Sequence, residues 1–271
     1  MNPNEIFTYP VESKSTEALK AVREYYCRFL ESKCDKQSRT INYPMGVCSV
    51  NHSGTKPIIC PHRFLENNLV FKNACNAAFG GSDNVLLFSE VKLSNIGSFD
   101  FVLVKHKPIS NKVEDFCIVE FQSDSTTGTG KLVQALKDFI SGVDVSQNRY
   151  RFGMNTYNTI KLSYIQMLMK GQAMEKWEKN IFWVIQKFVF GNMVNRFRLT
   201  DLDNNPKHRT HYHIYDLVAN RGIYKLELLD RKSTTIINLL KAFTHQPTPS
   251  LDTFVRFLES KIKLKLGLII E

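Results

Sequence analysis

Two runs of β-forming residues, 97–106 and 115–124, constrain this chain more than any other feature. Both are rich in Val, Phe and Ile, and the loop between them is of the kind that joins antiparallel neighbours. Each also carries polar groups that an apolar strand does not need: Asp100 in the first, Glu120 and Gln122 in the second. A strand sends every second side chain to one face, so Glu120 and Gln122 project together, and a hairpin brings Asp100 to that face as well. Two carboxylates converging there offer oxygen ligands to a hard divalent cation, in outline a metal-dependent phosphodiester-cleaving site. The competing reading makes each acid an edge-strand residue or half of an ion pair.

The elements around these runs predict an α/β protein. A third strand-like run, 85–93, precedes them and completes a meander. Helical spacing through Leu19, Val22 and Tyr26 marks a helix that Ser15 or Thr16 can cap. Phe64, Leu65, Leu69 and Cys75 mark a second over 63–79, carrying Glu66 and ending at Gly80-Gly81. Leu132, Ala135, Leu136, Phe139 and Ile140 fall at helical intervals after the polar loop 125–130. A longer helix spans 155–179, and the apolar stretch 181–194 reads as a buried fourth strand. Beyond it lie a polar, basic loop at 195–213 and a helix at 233–243, with Pro247 and Pro249 marking a break. Residues 1–62 read as an N-terminal helix with a cysteine-rich segment, and 63–271 as the core.

The chain of 271 residues carries a formal charge of +10, distributed unevenly. Residues 61–130 hold 6 Lys and Arg against 8 Asp and Glu, whereas residues 131–271 hold 22 against 12. An acidic middle beside a basic half suits a polyanionic partner, although a solvated basic surface would give the same count. Residues 1–10 lack a basic segment followed by an apolar one, and no apolar run is long enough to cross a bilayer, so a cytoplasmic protein without membrane association is expected.

Cys27, Cys34, Cys48 and Cys60 fall within one stretch that has no clear hydrophobic period, while Cys75 and Cys117 sit in predicted regular elements. In a cytoplasmic chain, four gathered cysteines suggest a thiolate-bound metal that closes loops; four unrelated thiols are the alternative. Tetrahedral thiolates lie about 3.8 Å apart, yet residues seven apart on a helix are about 10.5 Å apart along its axis. The first helix is therefore predicted to stop close to Cys27, with 28–33 folded as a loop. Iron and zinc both accept such a ligand set.

The four-cysteine segment with Cys60-Pro61-His62-Arg63-Phe64, then Glu90-Val91-Lys92-Leu93, Gly97-Ser98-Phe99-Asp100-Phe101-Val102-Leu103-Val104, Val119-Glu120-Phe121-Gln122 and Thr127-Gly128-Thr129-Gly130, together resemble the NotI group of type II restriction endonucleases. That group belongs to the PD-(D/E)XK nuclease superfamily. The likeness covers roughly residues 25–142 well and the C-terminal half loosely. It implies a restriction-endonuclease-like α/β core, a mixed central sheet flanked by helices, with a structural iron (or zinc) on Cys27, Cys34, Cys48 and Cys60. It further implies a homodimer acting on palindromic, GC-rich double-stranded DNA.

Carried over by the same resemblance, Asp100, Glu120 and Gln122 form the catalytic triplet, with Glu90 as the additional upstream carboxylate and Glu66 as its rival. Mg²⁺ would be held by Asp100, Glu120 and the backbone carbonyl of Phe121. Gln122 stands where the superfamily's signature has a lysine; an amide is neutral and suits orientation of a water rather than charge compensation. Candidates for reading base edges are Arg196, Arg198, Lys207, Arg209 and His211, each of which could instead be a surface charge or phosphate contact. A non-catalytic DNA-binding protein with a structural metal and a repair-type nuclease are the competing functions.

Overall fold

The computed structural model describes residues 1–264 and 267 of the chain. Strand β1 (Asn2–Ile6) opens it, followed by helix α1 (Thr16–Glu24). Ser15 caps α1 by accepting from the Ala18 N–H, and Tyr25 ends it in a left-handed conformation. The chain then forms a small hairpin, Tyr26–Cys27 against Ser32–Lys33, so the helix does stop before Cys27. Strand β2 (Val47–Asn51) pairs antiparallel with β1. These two strands lie in segments where the sequence shows no apolar alternation, because Asn4, Glu5 and Ser49 are buried polar residues that bond to one another.

Residues 63–79 do not form one helix. A 3₁₀ segment, Pro61–Asn68, breaks at Glu66 and Asn67, and helix α2 (Leu69–Phe79) follows. The break has a physical cause. Leaving helical geometry lets the Glu66 carboxylate accept from Arg63 Nη1 at 2.8 Å and from the Leu226 backbone N–H at 2.6 Å. Asn67 and Asn68 take the left-handed conformations that asparagine tolerates well. Arg63 also bonds Glu5, and its guanidinium lies 4.6 Å from the Phe29 ring, so a fully buried cation joins the N-terminal segment to the sheet.

The central sheet has six strands. Strands β3 (Val85–Leu93), β4 (Gly97–His106) and β5 (Val113–Gln122) form the expected antiparallel meander. Helices α3 (Thr129–Ile140) and α4 (Thr156–Trp177) then lead to β6 (Asn180–Gln186), which lies parallel to β5. The apolar stretch 181–194 divides at Gln186, where helix α5 (Lys187–Phe197) begins. A continuous apolar run fits a buried strand and a buried helix equally well by period, and here it is both. Gln186 marks the change: its amide bonds Ile58 N, Lys56 O and Asp216.

Strand β7 (Thr210–Asn220) is parallel to β6, and β8 (Ile223–Thr234) returns antiparallel to it, giving the order β8-β7-β6-β5-β4-β3. The polar stretch 195–213 is thus helix end, loop and strand rather than loop throughout, and 233–234 belongs to β8. Helix α6 (Ile236–Thr244) starts after Thr235 caps it, and helix α7 (Leu251–Lys263) follows.

Alternation along β5 splits its residues between two layers. Cys117 and Val119 pack with α2 and with Phe182, Val184 and Tyr215, whereas Ile118 packs with α4, α5 and α6. A third core surrounds the N-terminal segment and is completed by Leu132, Val133 and Leu136 of α3, so residues 1–62 share their core with the rest of the chain.

The Arg63 cluster generates a test of this arrangement. Replacing Arg63 by methionine leaves Glu5 and Glu66 buried without their cation, so denaturant unfolding should show a loss of about 3–5 kcal/mol; a loss below about 1 kcal/mol would mean that the cluster is not stabilising.

Candidate active site

Strand register assembles the acidic residues. Phe101 stands opposite Val119 and Val102 opposite Ile118, so Asp100 continues the ladder opposite Glu120. Ser89 faces Phe101 and Val91 faces Phe99, which places Glu90 opposite Asp100 on the outer strand. Glu90, Asp100 and Glu120 therefore line up across three neighbouring strands. Glu90 is exposed and has a left-handed backbone (φ 52°) that interrupts the ladder beside Asp100. Glu66 lies elsewhere, committed to Arg63 and to the Leu226 N–H.

The Asp100 carboxylate accepts the Phe121 N–H through Oδ2 at 2.8 Å, which ties the first strand's acid to the backbone between the other two residues. The Phe121 ring turns to the opposite layer, against Phe64, Phe71 and Phe101. Glu120 is only 1% exposed, and its Oε2 accepts from Lys170 Nζ at 2.6 Å. Gln122 is buried too, and its Oε1 accepts from the Ser163 hydroxyl, leaving the amide N–H groups as donors. Ser163 and Lys170 are seven apart on α4, two turns along one face, which lies over the alternate positions of β5.

Glu120 Oε1 is buried and makes no well-aligned hydrogen bond, although the Asp100 backbone N–H points at the carboxylate. Buried acceptors are ordinarily satisfied, and an orphaned carboxylate oxygen is costly. Burial, reinforced by the Asp100 charge, pushes the Glu120 carboxyl up to about 7, against the opposing pull of Lys170 and of the Asp100 backbone N–H. A divalent cation on Oε1 would satisfy the orphan and offset the repulsion between the two acids, so Asp100 and Glu120 fit a hard metal ion.

Lys170 and Ser163 escape a reading of local sequence. Their signal is indirect: both occupy a stripe of α4 otherwise formed by Ile160, Tyr164, Met167, Gly171 and Met174, where a helix facing a core has no need of polar groups.

The basic candidates lie at the other end of α5 and beyond it. Arg196 is exposed, donates to the Tyr157 hydroxyl at 3.0 Å and stacks over that ring; Arg198 and Lys207 are exposed, and Arg209 is half-buried. His211 differs from these. It lies in β7 with its ring stacked 5.0 Å from Phe182 and its Nε2 buried, and burial lowers its pKa to about 4, so it is packed into the sheet rather than presented to a base edge. His213 packs on the same ring and is likewise held neutral by burial, its pKa lowered to about 3.

Cys27, Cys34, Cys48 and Cys60 are buried with free thiols. Burial raises the thiols of Cys27, Cys48 and Cys60, and each also feels the charge of other cysteines of the four. They are neighbours, but among the described residues no group of three or more His, Cys, Asp or Glu is arranged to hold a metal ion. The expected clip is thus present as a gathering of thiols and not as a formed ligand cage, and Glu90 likewise does not complete a three-carboxylate group with Asp100 and Glu120. Cys75 and Cys117 lie in α2 and β5, the regular elements the sequence places them in, as buried hydrophobes between helix and sheet.

Residues 16–226 of the 271 match the family described as restriction endonuclease NotI, and the chain belongs to that family. Its members are restriction endonucleases, DNA-cleaving hydrolases that act on double-stranded DNA. No curated protein matched the chain. No helix among the described residues is long and apolar enough to cross a membrane.

Proton competition at Glu120 has a measurable consequence. Protonation of its carboxyl opposes cation binding, so affinity of the DNA-free protein for Mn²⁺ should climb between about pH 5 and pH 7 and level off above, read by calorimetry; an affinity flat across that interval would contradict the assignment.

Proposed function

We propose that this protein is a magnesium-dependent type II restriction endonuclease with a PD-(D/E)XK core, acting in the cytoplasm as a homodimer on a palindromic, GC-rich site. The observation that carries the hydrolytic reading is the alignment of Asp100 with Glu120, whose inner oxygen is buried without a well-aligned hydrogen bond. Asp100, Glu120 Oε1 and the Phe121 carbonyl would hold the ion. Magnesium, when bound, supplies positive charge that polarises the scissile phosphate and acidifies a water. Asp100 is oriented by the Phe121 N–H and Glu120 by Lys170, so both carboxylates are held in place before substrate arrives. Gln122, fixed through its oxygen by Ser163, directs N–H donors at a water or phosphate oxygen. Glu90, opposite Asp100 and open to solvent, suits the additional acid better than Glu66, which is occupied by Arg63.

Arg196, Arg198, Lys207 and Arg209 are the proposed DNA contacts, consistent with the basic excess of residues 131–271. The symmetric target and the dimer rest on the resemblance and on the general pairing of two-fold proteins with palindromic sites. The four N-terminal thiols are proposed to bind iron or zinc once their side chains turn toward one another, which would brace the loops around the Tyr26–Cys27 hairpin.

Alanine at Asp100 or Glu120 should reduce plasmid cleavage in Mg²⁺ by at least about 10³-fold while retaining DNA binding in Ca²⁺; cleavage by either variant at a comparable rate would remove the assignment. Discrete fragments with wild type, abolished by EDTA, support site-specific cutting. No cutting would favour a non-catalytic DNA-binding protein, in which Lys170 and Glu120 form a structural ion pair.

Elemental analysis of the purified protein should find about one iron or zinc per chain, lost together with folding stability in Cys34→Ser and Cys48→Ser. Metal-free protein of unchanged stability and activity would mean that the thiols are packing residues.

A further inference from the structure

Hydrolysis of a phosphodiester builds negative charge on the phosphate oxygens and the leaving group, and enzymes meet that charge with fixed positive groups. The site described above contains two carboxylates and a neutral amide on β4 and β5. Among the described residues, one cationic side chain is in direct contact with it. Lys170 reaches from α4 across the layer between helix and sheet, is only 5% exposed, and places Nζ at 2.6 Å from Glu120 Oε2 and 5.6 Å from the centre of the Phe99 ring. It occupies an otherwise largely apolar helix stripe, where a methionine or leucine would pack without desolvating a charge. A buried lysine there has a use beyond packing only if its charge is used.

We propose that Lys170 is a positioning residue of the hydrolytic site: its ammonium holds one oxygen of Glu120 so that the other faces the site, and it supplies from α4 the positive charge that Gln122 does not bring on β5. The inference rests on the nuclease reading and deepens it. Two features support the pairing of roles. Ser163 and Lys170 lie on one face of α4 and meet Gln122 and Glu120 respectively, so one helix face positions both members of the Glu-x-Gln pair. Glu120 and Gln122 also project to the same face two residues apart, so a cation at 122 would enter the space that Lys170 now serves.

The test compares wild type, Lys170→Met, and Lys170→Met combined with Gln122→Lys, each checked for folding by thermal unfolding and for DNA binding in Ca²⁺. Single-turnover cleavage in Mg²⁺ should fall by about 10²-fold or more in Lys170→Met, the scale of losing one preorganised charge donor. The double variant should recover at least about tenfold of the lost cleavage. Should Lys170→Met fail to fold, the double variant, which restores a cation to Glu120, decides by its cleavage alone.

Cleavage by a folded Lys170→Met within about threefold of wild type would overturn the proposal. A folded double variant that cleaves no better than the single variant, or that does not cleave at all, would also overturn it. Wild type that fails to cut in Mg²⁺ would instead overturn the nuclease reading, and this inference with it.

Discussion

Everything at the site follows from the pleat of β5. Ile118, Glu120 and Gln122 face α4, while Cys117, Val119 and Phe121 face α2, so a one-residue slip in the β4–β5 register would exchange the acids for phenylalanines. The register is guarded from both sides. Parallel pairing with β6 sets Glu120 beside Trp183 and Phe121 beside Val184, and the Asp100 side chain takes the Phe121 N–H just beyond the last hydrogen-bonded pair of the hairpin. An acid that will serve chemistry is thus first used to hold the strand that carries its partner.

Burial then sets the electrostatics. A carboxylate under a helix and beside another acid loses hydration and gains repulsion, and Lys170 offsets only part of this, leaving Glu120 with a pKa near 7 and one oxygen without a well-aligned hydrogen bond. Such a site stores a demand for positive charge. In a family of DNA-cleaving hydrolases, that demand is the physical basis for binding a divalent cation where a phosphate must be attacked.

Much of this architecture was legible from residue order. The meander and α3 have clean periods, and the alternation of 120 and 122 sufficed to place both on one face. What was not legible involves polar groups satisfied by distant partners. Strand β1 contains Asn2, Asn4 and Glu5, which look like loop residues until Ser49 and Arg63 are seen bonding to two of them. The kink at Glu66 depends on an acceptor for the Leu226 N–H, 160 residues away. The division of 181–194 at Gln186 depends on Ile58 and Asp216. His211 looked like part of a basic loop, and only the packing of Phe182 against β7 shows that its ring is turned inward. Lys170 belongs to the same class, since its partner is 50 residues earlier in the chain.

The central claim is that Asp100 and Glu120 meet around one divalent cation, and locating manganese by anomalous diffraction from crystals of the protein tests it most directly. The expected result is a single strong peak within about 2.5 Å of Glu120 Oε1 and of an Asp100 oxygen. A peak remote from both residues, or none at saturating manganese with Glu120 still held by Lys170 alone, would contradict it.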